Sequence, residues 1–219
     1  SVEETLYPAM ENYTLDIIIG KGASAKTLQV KLPRFTLIAA TTRLSLLSNP
    51  FRTRFGAHYK LDFYANADIA EIVRRSAIML DIKIENEALH LIAASARATP
   101  RIANRLLKRV RDYAQVYDIA PINIEAVTKA LSLLGIDSLG LDTTDRKILS
   151  VLVQIFNGGP AGLKSIAAAT GEEESTVEDV YEPYLMQLGF LTRSAKGRII
   201  TDSGRAHIGV INPAQSRLI

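Results

Sequence analysis

Two arginines in one short loop are well placed for chemistry. Arg52 and Arg54 lie between Pro50 and Gly56. A guanidinium group presents a fixed fork of N–H donors with a permanent positive charge, so an ordered pair in such a loop suggests an anion such as phosphate. The simpler interpretation is a solvated surface loop in which one arginine stacks on Phe55, and the composition of the loop leaves both open.

Two further sites offer polar groups at the ends of predicted elements. Thr41 follows an apolar segment and could orient a water molecule or a phosphate, although its hydroxyl could equally cap a strand. Arg101 comes directly after Pro100, at the predicted start of a helix, where the helix dipole disfavours a cation by a few tenths of a kcal/mol. This placement favours a bound anion, and a solvated arginine is the alternative.

The charged residues are segregated along the chain. Residues 97–111 carry six cations and no acid, whereas residues 172–182 carry six acids and no base. A basic and an acidic stripe indicate more than one kind of partner. Near the end of the chain, Arg193, Lys196 and Arg198 could grip DNA through phosphates or the minor groove, with little reading of bases. Protein contacts alone are the other interpretation.

The composition excludes several classes of protein. The 219 residues carry a net charge of +3, include no cysteine and include three scattered histidines, so disulfides, thiolate chemistry and a zinc site are excluded. No metal site is predicted. The apolar runs are too short for a membrane span and the N-terminus is acidic, so no membrane association is expected and the cytoplasm is the expected location. Gly20-Lys21-Gly22 lacks the spacing of a phosphate loop and is predicted to be a hairpin turn.

Three domains are predicted, and the fold class is multidomain, α/β plus α. Residues 1–65 include a hairpin of residues 14–19 and 27–32, followed by buried strands at 35–41 and 59–63. Residues 66–138 form four helices, with Asn66 or Asp68 capping the first. Residues 139–219 follow a short linker and show three helices and a two-stranded ribbon, the winged-helix arrangement. In the third helix of the second domain, Ile102, Leu106, Val110, Tyr113 and Tyr117 are predicted to form the buried face.

Several motifs occur in an order typical of one family. They are Leu6-Tyr7-Pro8-Ala9-Met10-Glu11, Ala40-Thr41-Thr42-Arg43, Phe51-Arg52-Thr53-Arg54-Phe55-Gly56, Thr99-Pro100-Arg101-Ile102-Ala103-Asn104-Arg105 and Glu182-Pro183-Tyr184-Leu185. With these motifs the chain closely resembles the RuvB family, the bacterial Holliday-junction branch-migration motor of the AAA+ class. The resemblance implies the end of an AAA+ α/β ATPase domain with its hairpin, a small helical lid domain, and a C-terminal winged helix.

The resemblance also implies roles for individual residues. Thr41 matches sensor 1, which positions the attacking water, and Arg54 matches the arginine finger that reaches the nucleotide of a neighbouring subunit, with Arg52 as its companion. Arg101 matches sensor 2 and contacts the γ-phosphate in its own subunit.

Other implied contacts are with the base, the partner and DNA. Tyr64 and Pro100 match positions that line the adenine. Leu28 and Val30, on one face of the hairpin, are the expected contacts with the junction-binding partner RuvA. The winged helix resembles the DNA-binding domain of the family, and Arg193, Lys196 and Arg198 are the expected DNA contacts.

ATP or ADP with Mg²⁺ is the implied cofactor, although the Walker A and Walker B residues of the family precede the first residue here. The chain alone is therefore expected to be inactive, as the portion of an ATP-dependent DNA helicase that supplies sensors, finger and DNA grip in a hexameric ring. Two departures from the family are Ser45 and Ala98, which replace glycines in loops. The alternatives are a non-hydrolysing winged-helix adaptor for DNA and a clamp-loader-like subunit.

Overall fold

The computed structural model of the protein describes residues 2–20 and 26–210. The chain divides into two compact units, Ser1–Asp62 and Phe63–Ile219. The second unit contains two separate hydrophobic cores, one formed by residues 69–131 and the other by residues 141–200.

The first unit is built around a β-hairpin. Helix α1 (Val2–Asn12) leads into strand β1 (Thr14–Ile19), which pairs antiparallel with strand β2 (Lys26–Lys31) so that Leu28 lies opposite Ile17. This confirms the predicted hairpin, whereas Lys21 to Ser24 of its predicted turn lie outside the described residues. A 3₁₀ turn (Leu44–Leu46) and a short helix α2 (Asn49–Arg52) follow, and the hydroxyl of Ser48 caps α2 by accepting the N–H of Phe51 at 3.3 Å.

The two predicted buried strands at 35–41 and 59–63 are wrong. Both segments are irregular and largely exposed, with 88% of the Ile38 side chain accessible to solvent. A strand is stabilised by hydrogen bonds to a neighbouring strand. Within the described residues, the sheets are the hairpin of the first unit and the ribbon of the winged helix, so neither segment has a strand beside it.

The predicted lid domain of the second unit is a packed cluster of four helices: α3 (Asn66–Met79), α4 (Asn86–Ala94), α5 (Pro100–Val116) and α6 (Ile124–Leu133). Helix α3 starts after Ala65, and no side chain caps it, so the predicted caps at Asn66 and Asp68 are wrong. Helix α5 buries Leu106 and Val110 as its apolar periodicity predicts. Tyr117 is 60% exposed, because the helix ends at the preceding residue.

The winged helix follows a linker at Leu139, Gly140 and Leu141. Helix α7 (Thr143–Gln154) begins with a capping box in which Asp142 and Asp145 each accept the other's backbone N–H. The sequence indicates Asp142 or Thr143 as the cap of this helix, and the structure shows Asp142 in that role. The remaining elements are α8 (Leu163–Thr170), α9 (Glu174–Thr176), a π-helical turn (Val177–Tyr181), α10 (Glu182–Gln187), strands β3 (Leu191–Ser194) and β4 (Gly197–Ile200), and α11 (Asp202–His207).

The wing begins its return strand at a residue that must be glycine. Gly197 has φ +136°, and a Cβ atom there would lie 2.3 Å from the carbonyl oxygen of Ala161. The backbone of Gly197 therefore lies directly against the segment that precedes α8, and this contact anchors the wing at its base.

Candidate functional site

Arg54 lies two residues after helix α2 and contacts three groups of its own unit. Its Nε donates to Glu11 Oε1 at 2.8 Å, Nη1 donates to the carbonyl oxygen of Pro50 at 2.6 Å, and its guanidinium lies 4.4 Å from the centre of the Tyr7 ring. The side chain of Arg54 is 27% exposed and that of Glu11 is 50% exposed. Such an exposed ion pair contributes at most about 1 kcal/mol, so an incoming polyanion could displace Glu11.

The other two residues predicted for this part of the site lie in the same unit. Arg52 is half-buried and donates through Nη2 to Asn49 Oδ1 at 3.4 Å, while its Nε is buried with no hydrogen-bond partner among the described residues. Thr41 is exposed, and its hydroxyl accepts the backbone N–H of Arg43 at 3.1 Å. The hydroxyl of Thr41 therefore shapes a turn in this structure.

Arg101 projects from the first turn of α5 into solvent. It lines an open depression with other cationic side chains of the same helix, among them Arg105 and Lys108, and no carboxylate of the described residues forms an ion pair with Arg101. Pro100 is the first residue of α5, and Tyr64 is half exposed just before α3. The structure thus leaves the cation predicted as sensor 2 available to an anionic ligand.

Arg97, which the sequence places in the basic stripe, is not part of that exposed surface. Its side chain is only 14% exposed, and its guanidinium donates to Asp145 through Nη2 and to the carbonyl oxygen of Gly140 through Nε at 2.7 Å. Of the six cations in the basic stripe, Arg97 is therefore occupied by contacts inside the protein. The sequence contains no local signal for this contact, because 48 residues separate Arg97 from Asp145.

The carboxyl group of Asp145 is an unusual acid. Burial raises its pKa to about 6, although the positive charge of Arg97 and the backbone N–H of Asp142 act in the opposite direction. One of its oxygens, Oδ1, has no hydrogen-bond partner among the described residues. Because a buried carboxylate without full hydrogen bonding is costly, this group can change its charge near neutral pH.

The wing arginines are bound by acids of the preceding helix. The buried carboxylate of Glu182 accepts from Arg193 Nε at 2.8 Å and from Arg198 Nη2 at 2.9 Å. Burial alone would raise the pKa of Glu182, but the hydrogen bonds and charges of the two arginines outweigh it and hold the pKa below its usual range. Arg198 is 13% exposed and Arg193 is about half exposed, whereas Lys196 is exposed at the tip of the wing.

The hairpin presents an apolar surface. Leu28 is exposed opposite the exposed Ile17, and Val30 is half-buried opposite Leu15. Ile18 and Ile19 are also exposed on β1. Exposed apolar side chains concentrated on one hairpin indicate a surface that contacts another protein.

No group of three or more histidine, cysteine, aspartate or glutamate side chains among the described residues could hold a metal ion. In the same part of the chain, no helix is both long enough and apolar enough to cross a bilayer.

Comparison with protein families accounts for almost the whole chain. Residues 1–61 match the Holliday junction DNA helicase RuvB P-loop domain, residues 64–137 match the RuvB AAA lid domain, and residues 138–209 match the RuvB C-terminal winged helix domain. The helical cluster and the winged helix are therefore those of an AAA-type protein that carries a winged helix behind its lid.

Individual relatives agree with this class. The chain is 51% identical over 216 residues to the Holliday junction branch migration complex subunit RuvB of Chloroflexus aggregans, and 52% identical over 210 residues to that of Dehalococcoides mccartyi. These matches cover 99% and 96% of the chain but 62% and 60% of the relatives, so the chain spans about three fifths of their length.

Solved structures give the same result. The Thermotoga maritima RuvB Holliday junction branch migration motor matches with a TM-score of 0.81 and 44% identity, over 97% of this chain and 66% of that protein. A single-residue variant of the same motor matches with a TM-score of 0.82 and 45% identity, over 97% and 67% of the two chains. The chain belongs to the RuvB family.

Proposed function

We propose that this chain supplies the C-terminal part of an ATP-dependent motor that drives branch migration of Holliday junctions in DNA recombination and repair. The observation that supports this proposal most strongly is the order of the three matched parts, P-loop domain, lid and winged helix, in a chain about half identical to curated RuvB subunits. We divide the function accordingly among residues 1–65, 66–138 and 139–219.

The cofactor of the proposed motor is ATP or ADP with Mg²⁺, and the chain offers residues for part of it. Arg101 is an exposed cation without a carboxylate partner among the described residues, and Arg54 is held only by an exposed ion pair, by a carbonyl oxygen and by stacking on a ring. The sequence includes no Gly-x-x-x-x-Gly-Lys-Ser/Thr pattern, and the described residues offer no cluster of metal ligands. These residues therefore fit the outer contacts of a triphosphate, and other protein segments would hold the β-phosphate and the metal ion.

Each nucleotide-facing residue has a distinct role in this proposal. Bound ATP supplies the phosphoryl group that is transferred to water. Arg54 neutralises charge at the nucleotide of the adjacent subunit, an effect that is worth about 10³–10⁵ in rate, and Arg52 supports its loop. Thr41 orients the attacking water, Arg101 contacts the γ-phosphate in its own subunit, and Tyr64 and Pro100 line the adenine.

The partners in this proposal are DNA, a RuvA-type protein and further copies of the chain. A finger that acts on a neighbour requires a ring, which is hexameric by family analogy, and a DNA motor of this kind works in the cytoplasm. Lys196, with Arg193 and Arg198, grips DNA phosphates without reading bases. Leu28 and Val30 dock on the RuvA-type protein.

The experiment begins with the genomic region upstream of Ser1. We expect Gly-x-x-x-x-Gly-Lys-Ser/Thr followed by Asp-Glu in the same reading frame. The full-length product is expected to hydrolyse ATP faster with a Holliday junction and the RuvA-type partner than with linear duplex, and the 219-residue chain is expected to be inactive. Absence of both motifs upstream, or a full-length product without junction-stimulated hydrolysis, would contradict the proposal and favour a DNA-binding adaptor.

A further inference from the structure

The loop between α4 and α5 connects two functional regions of the second unit. It carries Arg97 and Ala98, both in the left-handed region with φ of 51° and 50°, and leads directly to Arg101. The hydroxyl of Thr99 donates to the carbonyl oxygen of Arg97 at 2.9 Å. Any displacement of the Arg97 backbone is therefore passed to the first turn of α5, where Arg101 lies.

The other end of the Arg97 side chain lies on the winged helix and its linker. Its guanidinium binds the carbonyl oxygen of Gly140, pairs with the fully buried Asp145 in the capping box of α7, and approaches Asp142 Oδ2 to 3.4 Å. It also lies 5.1 Å from the centre of the Tyr184 ring, on α10. The side chain of Arg97 thus contacts helix α7, helix α10 and the linker that leads into the winged helix.

The linker itself is packed tightly against the same loop. Gly140 has φ +81°, and a Cβ atom there would lie 2.4 Å from the carbonyl oxygen of Ser95. The hydroxyl of Ser95 donates to the carbonyl oxygen of Ser138 at 3.2 Å, and the hydroxyl of Tyr184 donates to the carbonyl oxygen of Leu139. The linker between the lid and the winged helix is therefore held in place by both.

A second set of polar contacts surrounds this one. Arg146 of α7 donates to the carbonyl oxygens of Leu141 and Gly135, each at 2.8 Å, and His207 of α11 pairs with Asp137 at 2.8 Å. These contacts are more exposed than the Arg97–Asp145 pair. Arg97 is the most deeply buried cation in the junction among the described residues.

We propose that Arg97 is a positioning residue that fastens the winged helix to the lid, so that the nucleotide sensor Arg101 and the DNA-binding wing move as one body. This inference rests on the proposed function for the meaning of the movement, whereas the rigid connection itself is a property of the described fold. A nucleotide-dependent shift of α5 then reorients the wing directly, without an intervening hinge at the linker.

The test uses ¹⁵N relaxation of the 219-residue chain, free and bound to a 20-base-pair DNA duplex. In the wild type, lid amides and wing amides are expected to share one rotational correlation time, and both are expected to slow when the duplex binds. In Arg97→Met, the wing is expected to slow with DNA while the lid keeps a shorter correlation time, with dispersed spectra showing that both domains remain folded.

Two further variants keep the result informative. Arg97→Lys keeps the positive charge but lacks the fork of N–H groups that binds Gly140 and Asp145 together, and it is expected to separate the two correlation times if Arg97→Met does not fold. Arg105→Gln removes an exposed cation from helix α5 and is expected to leave one shared correlation time.

A single shared correlation time in folded Arg97→Met, or in folded Arg97→Lys if Arg97→Met does not fold, would overturn the proposal. If the duplex slows neither domain of the wild type, the proposed DNA contact fails. The role of Arg97 is then decided without DNA, where lid and wing are expected to share one correlation time in the wild type and to have different correlation times in Arg97→Met.

Discussion

Glu182 and Arg198 form a two-point contact inside the winged helix, with Arg198 Nε and Nη2 donating to Oε2 at 3.1 and 2.9 Å. The acidic helical segment of residues 174–187 and the basic wing therefore bind each other within one domain. This contact separates the three predicted DNA-binding cations into a structural residue, Arg198, and an exposed one, Lys196, with Arg193 between them in exposure.

Substitutions in the wing are expected to separate stability from DNA affinity. Arg198→Gln should lower the free energy of unfolding by about 2 kcal/mol or more, because the buried Glu182 loses a charged partner. Lys196→Gln should leave stability unchanged and weaken DNA binding equally for all sequences. The slope of the logarithm of the binding constant against the logarithm of the salt concentration should become shallower by about 0.9, the value for one lost phosphate contact. Urea denaturation and DNA titrations at several salt concentrations measure these effects, with the exposed lid residue changed in Lys83→Gln as the control. A sequence-selective loss in Lys196→Gln would contradict this assignment.

Substitution of Arg54 should affect catalysis far more than nucleotide binding. In the full-length protein, Arg54→Ala is expected to reduce junction-stimulated ATP hydrolysis by about 10³-fold or more while ATP affinity stays nearly unchanged. Glu11→Gln removes the present partner of Arg54 and is expected to change the stability by less than about 1 kcal/mol and to leave hydrolysis largely intact. Hydrolysis rates and nucleotide titrations provide the measurements. A large loss of ATP affinity in Arg54→Ala would indicate that Arg54 acts within its own subunit.

The hairpin should be required for recruitment of the partner. Leu28→Asp places a charge on the exposed apolar face and is expected to abolish binding to the RuvA-type protein while basal ATP hydrolysis of the full-length protein is unchanged. Lys31→Asp introduces an acidic side chain at an exposed position on the opposite face of the same strand, across from Thr14, and serves as the control. Pull-down or calorimetric titration with the partner measures the effect. Normal binding by Leu28→Asp would place the docking surface elsewhere.

Ala98 lies in a backbone conformation that favours glycine. Ala98→Gly removes the strain of a left-handed alanine, which raises the stability, but it also adds entropy to the unfolded chain, which lowers the stability by a smaller amount. A net gain of roughly 0.5–1 kcal/mol in the free energy of unfolding is therefore expected. Ala168→Gly makes the same change at an exposed position inside helix α8 and should lower the stability by about 1 kcal/mol. Urea denaturation of both variants tests the opposite signs, and a loss of stability in Ala98→Gly would show that the left-handed alanine carries little strain.

The pH dependence of stability should report on Asp145. Burial raises the pKa of Asp145 in the folded protein to about 6, above the value of about 3.9 expected for an unfolded aspartate. Because the folded state favours the protonated carboxyl group, the contribution of Asp145 to stability is fully present below about pH 4 and is lost as the pH rises through 6. Relative to Asp145→Asn, the wild type is expected to lose up to about 3 kcal/mol between pH 4 and pH 7. Denaturation curves of both proteins across this range measure the difference. A relative gain for the wild type would mean that the attraction of Arg97 outweighs burial.

Local features of the fold could be predicted from the sequence, because their determinants lie a few residues apart. The cap at Asp142, the two strands of the hairpin and the buried positions Leu106 and Val110 all depend on neighbours in the chain. The contacts of Arg97 and Arg198 could not be predicted, because their partners are 48 and 16 residues away and depend on the tertiary packing.

The predicted strands at 35–41 and 59–63 failed for a different reason. Their apolar composition is typical of a buried strand, but strand formation also requires a neighbouring strand, and no such neighbour lies among the described residues. The roles proposed for all the site residues, at the nucleotide, on DNA and at the RuvA-type protein, remain predictions from the resemblance to the family.

The unequal burial of the two units determines how the chain should behave in a protease digest. Ile38, Tyr59 and Leu61 are more than 80% accessible in segments without regular structure, whereas the helices after Asn66 close around two complete cores. Trypsin cuts exposed irregular backbone first, so it should trim the chain to a resistant fragment that starts near Phe63. Such a fragment would be a convenient starting point for crystallisation.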